Sequence, residues 1–171
     1  MGKFLEQMKA AAQADKKTIV LPEGEDPRTI AAAKVIIAEN LANLVILGNP
    51  DEIYVAGATV ICPATDERHE AYAQKFAELR ARKGVTIEQA RETMNNNTYF
   101  ATMMVKMGDA DGLVSGACHS TADTLRPALQ IIKTAPGTKL VSAFFIMSTD
   151  KPEFGEDGTL LFADCGLNIN P

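Results

Sequence analysis

Two short apolar runs with a helical segment between them leave this chain few folds to choose from. Thr18-Ile19-Val20-Leu21 is a compact β-rich stretch stopped by Pro22, and Leu44-Val45-Ile46-Leu47 is a second that ends at Gly48. Between them Asp26 reads as an N-cap and Pro27 as the first helical residue, because a helix start leaves that N–H unpaired anyway. The segment from Arg28 to Asn40 carries Ile30, Val35, Ile36 and Ile37 among alanines, apolar almost all round, as expected of a helix packed on a sheet. Such a strand–helix–strand unit implies parallel strands joined by a right-handed crossover.

The alternation continues. Asn49-Pro50 starts a short helix, and Thr59-Val60-Ile61-Cys62 is a third strand. A helix spans about Asp66 to Lys83, with acids in its first turn, Arg80, Arg82 and Lys83 in its last, and Gly84 closing it. Thr86 and Gln89 have capping-box spacing for a further helix. Asn95-Asn96-Asn97 breaks the chain, and Thr98 to Lys106 reads as a Met-rich buried helix ended at Gly108, with Met103, Met104 and Met107 as core. Asp111 to Ser115 is a fourth strand, and a helix follows from about Thr121 to Thr134. The predicted fold is a three-layer α/β/α domain with a mainly parallel sheet over residues 1–138. After the Pro136-Gly137 turn, Leu140 to Met147 and Thr159 to Phe162 read as an antiparallel pair with no helix between them. Residues 139–171 are therefore predicted to open a second α/β domain. An amphipathic helix precedes the first strand.

Composition excludes several classes. With 17 Lys+Arg against 22 Asp+Glu, the net charge of -5 argues against nucleic acid as a partner, though a local basic pocket can still hold an anion. No apolar run approaches the ~20 residues that span a bilayer, and the charged N-terminus is not a secretory signal. Cys62, Cys118 and Cys165 are odd in number, widely spaced and without a CxxC pair, so free thiols in a reducing, cytoplasmic setting are expected and no metal site is.

Chemistry concentrates in Gly112-Leu-Val-Ser-Gly-Ala-Cys-His-Ser-Thr-Ala-Asp-Thr-Leu-Arg-Pro127. A buried strand gives way to a small-residue loop and then a helix N-terminus, where open α/β sheets bind anions. Ser115, Ser120, Thr121 and Thr124 add hydroxyls. On helical spacing Leu125, Leu129 and Ile132 form the core stripe, leaving Arg126 with Gln130 and Lys133 on a polar one. Arg126 therefore fits a solvated face. In the first turn, however, a cation opposes the helix dipole, and a bound phosphate would remove that conflict. The stretch matches neither the P-loop nor the GxGxxG fingerprint. Arg80 runs beside the Tyr72, Phe76 and Leu79 stripe and can lean toward a cleft, although the dipole alone accounts for its position. His119 can donate to a phosphate, act as a base or simply cap its loop. Cys118 beside it invites a thiol-nucleophile reading, against which stands the rarity of sequence neighbours pointing the same way. Glu23 and Glu25 can line the rim, capping accounts for Asp26, and His69 is a solvated residue.

Three segments, Thr18 to Arg28, Asp111 to Pro127 and Gly158 to Asp164, closely resemble the phosphate acetyltransferase (phosphotransacetylase) family, in order and without a large gap. Phosphate butyryltransferases share the fold but fit the Asp123-Thr-Leu-Arg-Pro127 block less well. The resemblance implies reversible acetyl transfer between acetyl phosphate and coenzyme A, with coenzyme A as substrate and no tightly bound cofactor. It also implies two α/β domains of the isocitrate/isopropylmalate dehydrogenase-like architecture, an active-site cleft between them, and a homodimer. Arg80 and Arg126 match family arginines thought to contact coenzyme A or phosphate, and Ser115, His119, Ser120 and Thr124 lie on the loop lining the same cleft. The family's Ser-Arg pair and its aspartate base belong to a second half beyond Pro171, so the resemblance assigns no catalytic residue here. A cysteine of some members falls at about Pro152. The expectation is a substrate-binding half with little activity alone. The rival is a non-catalytic domain that binds coenzyme A or phosphate.

Overall fold

The computed structural model describes residues 3–163, which fall into two compact units. Residues 16–133 form one. The other combines the N-terminal helix α1 (Lys3–Ala14) with the chain from Thr134 onward, so α1 groups with the second unit rather than with the sheet that follows it in sequence.

In the larger unit, strands β1 (Thr18–Leu21), β2 (Asn43–Leu47), β3 (Ala58–Ile61) and β4 (Gly112–Leu113) form one sheet in the order β3-β2-β1-β4, all parallel. Successive side chains alternate between faces. Val20 and Leu47 join a core built with the helices α3 (His69–Arg80), α4 (Ile87–Met94), α5 (Asn97–Met107) and α6 (Thr121–Ile131), while Leu21, Leu44 and Ile46 pack with α2 (Pro27–Ala38) on the opposite face. The three-layer α/β/α arrangement and its parallel sheet are thus as the sequence predicts.

Local signals account for most boundaries. Asp26 caps α2, accepting from the Arg28 N–H at 2.8 Å, with Pro27 at the first position. Thr86 and Gln89 make a complete capping box at α4. Asn96 caps α5, accepting from Thr98 and Tyr99 N–H groups at 3.0 and 3.1 Å, and Gly108 ends it in the left-handed region.

Four expectations need correction. Asn49-Pro50 starts only a turn, closed by Glu52 and Ile53 N–H groups donating to the Asn49 carbonyl. The helix expected over 66–83 is regular only within α3, because Asp66 is held by Arg68 through its backbone and guanidinium in a turn before it, and a tight 3₁₀ turn spans Ala81–Lys83. In α6 the inward residues are Pro127 and Ile131, whereas Leu129 and Ile132 are about half exposed, so the buried face is rotated from the predicted stripe. Met103 and Met104 are buried, but Met107, in the last turn of α5, is exposed.

In the smaller unit, β5 (Phe144–Ser148) and β6 (Thr159–Ala163) pair antiparallel, with Phe145 opposite Phe162 and Ser148 opposite Thr159. The first strand is shorter than the predicted 140–147 run. Cys165 and Asp164 lie outside the described residues.

Candidate functional site

Parallel strands side by side bring the loops at their carboxyl ends together. Here β1 lies beside β4, so the segment after β1 meets the small-residue loop after β4 although about a hundred residues separate them. The meeting point is Glu23, 2% exposed. Its Oε2 accepts from the N–H groups of Gly116 and Ala117 at 2.9 and 2.8 Å. Its Oε1 accepts from those of Cys118 and His119 at 2.9 and 3.0 Å, and from the His119 ring Nδ1 at 2.7 Å. Burial alone would raise the carboxyl pKa. The N–H donors of Cys118, Ala117 and Gly116 and the His119 ring outweigh it and hold the pKa at about 2. The loop is also tied from outside by Arg28, whose guanidinium grips Asp26 at 2.6 Å and donates to the Ala117 carbonyl.

The structure places an internal acceptor against this loop. Its four successive N–H groups do form an anion nest, but the anion is internal. Ser120 is the N-cap of α6, its hydroxyl accepting from the Asp123 N–H at 3.2 Å and donating to the Asp123 carboxylate at 2.6 Å. The Thr124 hydroxyl donates back to the Ser120 carbonyl at 3.2 Å. Ser115 lines a groove of about 400 Å³ with Glu23, Arg28, Ala117 and Val114, and its buried Oγ has no hydrogen-bond partner among the described residues.

The two arginines lie on α3 and α6, helices packed with α5 on one face of the sheet. Arg80 ends α3, Tyr99 stands in the first turn of α5, and Arg126 and Gln130 lie on α6. The Tyr99 hydroxyl donates to the Gln130 side-chain oxygen at 3.2 Å. Burial raises the Tyr99 pKa, and the positive charges of both Arg126 and Arg80 act on the same hydroxyl to lower it. Among the described residues, Arg126 has only a loose contact at 3.9 Å with Asp123, both well exposed, and the buried Arg80 Nε has no hydrogen-bond partner. A buried guanidinium N–H without an acceptor is costly and is relieved by an anion.

Glu23, Cys118 and His119 place one ligand atom each within 4.8 Å of one another. Their chemistry does not suit a metal: the carboxylate oxygens are already occupied by N–H donors. Desolvation and the carboxylates of Glu23 and Glu25 push the Cys118 thiol up to about 11, which leaves little thiolate for a nucleophile or a ligand near neutral pH. His69 lies apart, its Nε2 3.0 Å from the Asn95 side-chain oxygen.

Sequence alone leaves Tyr99 unmarked and places Gln130 only on the polar stripe of α6 and Glu23 only at the rim. A signal for Tyr99 existed in its position one turn into a capped helix. None existed for Glu23, whose partners depend on strand order.

Fold and site define an α/β/α domain with a carboxylate-filled loop after β4 and two arginines, Arg80 and Arg126, on the helices of one face. The chain belongs to the phosphate acetyl/butaryl transferase family, whose pattern matches residues 3–171, and it corresponds to the N-terminal half of the family chain. It is 54% identical over 167 residues to a phosphate acetyltransferase of Thermoanaerobacterium thermosaccharolyticum, a match covering 94% of this chain and 51% of that protein. A phosphate acetyltransferase of Acetivibrio thermocellus is 51% identical over 175 residues, covering 98% and 53%. Among solved structures, a phosphotransacetylase from Streptococcus pyogenes superposes with a TM-score of 0.86 at 36% identity, over 98% of this chain and 52% of that one. The chain thus spans about half the length of these relatives. No helix among the described residues is long and apolar enough to cross a membrane.

Proposed function

We propose that this chain is the substrate-binding half of a cytoplasmic, homodimeric phosphate acetyltransferase. The reaction is attack of the coenzyme A thiolate on the acetyl phosphate carbonyl, with the carbon–oxygen bond to phosphate breaking and phosphate leaving. Its substrates are coenzyme A and acetyl phosphate, and no tightly bound cofactor takes part. Such chemistry needs fixed positive donors for the phosphate groups. One observation carries the reading: the buried Arg80 Nε has no hydrogen-bond partner among the described residues. On α6, the helix of Arg126, the hydroxyls of Ser120 and Thr124 stabilise the first turn, and His119 belongs to the loop before it. Residues 139–171 are proposed to open the second domain.

Titration of coenzyme A and inorganic phosphate by calorimetry tests this. Charge-assisted contacts contribute about 1.5–3 kcal/mol each, so Arg126→Ala should weaken coenzyme A at least about tenfold. Unchanged affinity would overturn the assignment of Arg126. Acetyl-CoA formation by this chain should stay far below that of a full-length relative, and comparable turnover would overturn the division of labour.

A further inference from the structure

The internal anion does more than satisfy a loop. A carboxylate is acceptor-only when ionised, and Glu23 is buried with every oxygen already facing N–H donors. The His119 Nδ1, 2.7 Å from Oε1, must therefore carry the hydrogen of that contact. In a neutral imidazole one nitrogen donates and the other accepts, so Nε2 is left as the bare acceptor. The His119 side chain is 30% exposed against 2% for Glu23, and Nε2 has no hydrogen-bond partner among the described residues. Cys118, whose Sγ lies 3.6 Å from the same Nδ1 and 3.5 Å from the carboxylate, competes only on the inner side of the ring.

The loop that holds this ring leaves the carboxyl end of β4 and leads directly into α6, the helix of Arg126. Ligands of open parallel sheets bind at that end.

We propose that Glu23 is a positioning residue that locks His119 as its Nδ1–H tautomer and so presents Nε2 as the acceptor for an acidic hydrogen of the bound ligand. The chemistry fits two sources, the thiol of coenzyme A and the hydroxyl of a monoprotonated phosphate. In either case a hydrogen bond from S–H or O–H to Nε2 forms first. Full transfer places the proton on Nε2 and the electron pair on sulfur or oxygen, with Glu23 balancing the resulting imidazolium. The same division between an orienting carboxylate and a working nitrogen operates in hydrolase triads. This inference rests on the coenzyme A and phosphate reading above, and extends it by placing a proton acceptor in this half.

The chain has only His69 and His119, so long-range proton–nitrogen NMR of the ¹⁵N-labelled protein at about pH 8.5, above the ordinary histidine range, resolves both rings. His119→Asn assigns them. The expected result is a pyrrole-type Nδ1 and a pyridine-type Nε2 for His119, lost in Glu23→Ala, which removes both acceptor oxygens. Glu23→Asp and the amide spectrum show whether that loss is merely unfolding. Coenzyme A should move the Nε2 signal. If coenzyme A disulfide, which lacks the S–H, leaves it in place, the thiol is the source; if inorganic phosphate alone moves it, phosphate is. A wild-type ring protonated on Nε2 overturns the proposal, as does an Nε2 signal that stays still while amides around Arg126 respond to coenzyme A. No response anywhere to coenzyme A or phosphate refutes the functional reading and the ligand role of His119 with it, while the tautomer still decides the hold of Glu23.

Discussion

Replacing Glu23 by Gln should destabilise the larger unit by about 3–5 kcal/mol at neutral pH. The charge part follows from the pKa, held at about 2 against an ordinary 4.5. At about 1.4 kcal/mol per pH unit this gap contributes roughly 3 kcal/mol to folding. Geometry gives a similar figure. Glutamine keeps one accepting oxygen, so its NH₂ must face one of two donor pairs: Gly116 and Ala117, or Cys118 and His119. Two buried N–H groups then lose their acceptor, at about 1–3 kcal/mol each.

The pH dependence separates this account from a general loss of packing. Glu23 is depressed in the folded state, so its stabilisation is fully present above about 4.5 and disappears as pH falls toward 2. Between those limits the unfolded chain binds the extra proton. Urea denaturation of wild type and Glu23→Gln should show a stability gap that narrows by about 2 kcal/mol between pH 7 and about pH 3. Other carboxylates titrate equally in both proteins and cancel. A gap independent of pH, or below about 1 kcal/mol at neutral pH, would refute the reasoning.

Other consequences follow from close contacts. A Cβ on Gly24 would stand 2.5 Å from the Leu47 carbonyl oxygen and 2.7 Å from Ile46 Cγ2, so Gly24→Ala should cost about 2–3 kcal/mol by chemical denaturation. Gly108→Ala meets nothing within 4 Å and carries only the strain of its left-handed φ of 85°, so it should cost about 1 kcal/mol. Tyr72, 1% exposed, donates to Asp109, and Tyr72→Phe should cost about 1–2 kcal/mol, read from the urea midpoint.

Signals carried within one helix or one turn were legible in the sequence. The cap at Asp26, the box at Thr86 and Gln89, and the left-handed stop at Gly108 all involve residues within a few positions of each other, and all are present. Arg80 was legible as a residue beside the Tyr72 and Phe76 stripe, because helical spacing fixes its angle to the buried face. Periodicity says which residues share a face, however, and not which face meets the sheet. In α6 two faces carry apolar residues, and Pro127 and Ile131 are the ones packed inward. The exposed Leu129 and Ile132 were read as core for that reason.

Glu23 marks the deeper limit. Its five N–H partners begin 93 positions away and exist only because β1 lies between β2 and β4. The β1–α2–β2 unit fixes that its strands are parallel, but both the neighbour on the far side of β1 and the loop it delivers are tertiary facts. The small residues Gly116 and Ala117 show in the sequence that the backbone N–H groups of this loop are open to the close approach of an anion. What sequence could not show is that the protein brings its own anion. That changes the chemistry of the site: four N–H groups that sequence leaves open to an outside anion are instead the fixed support of the His119 ring.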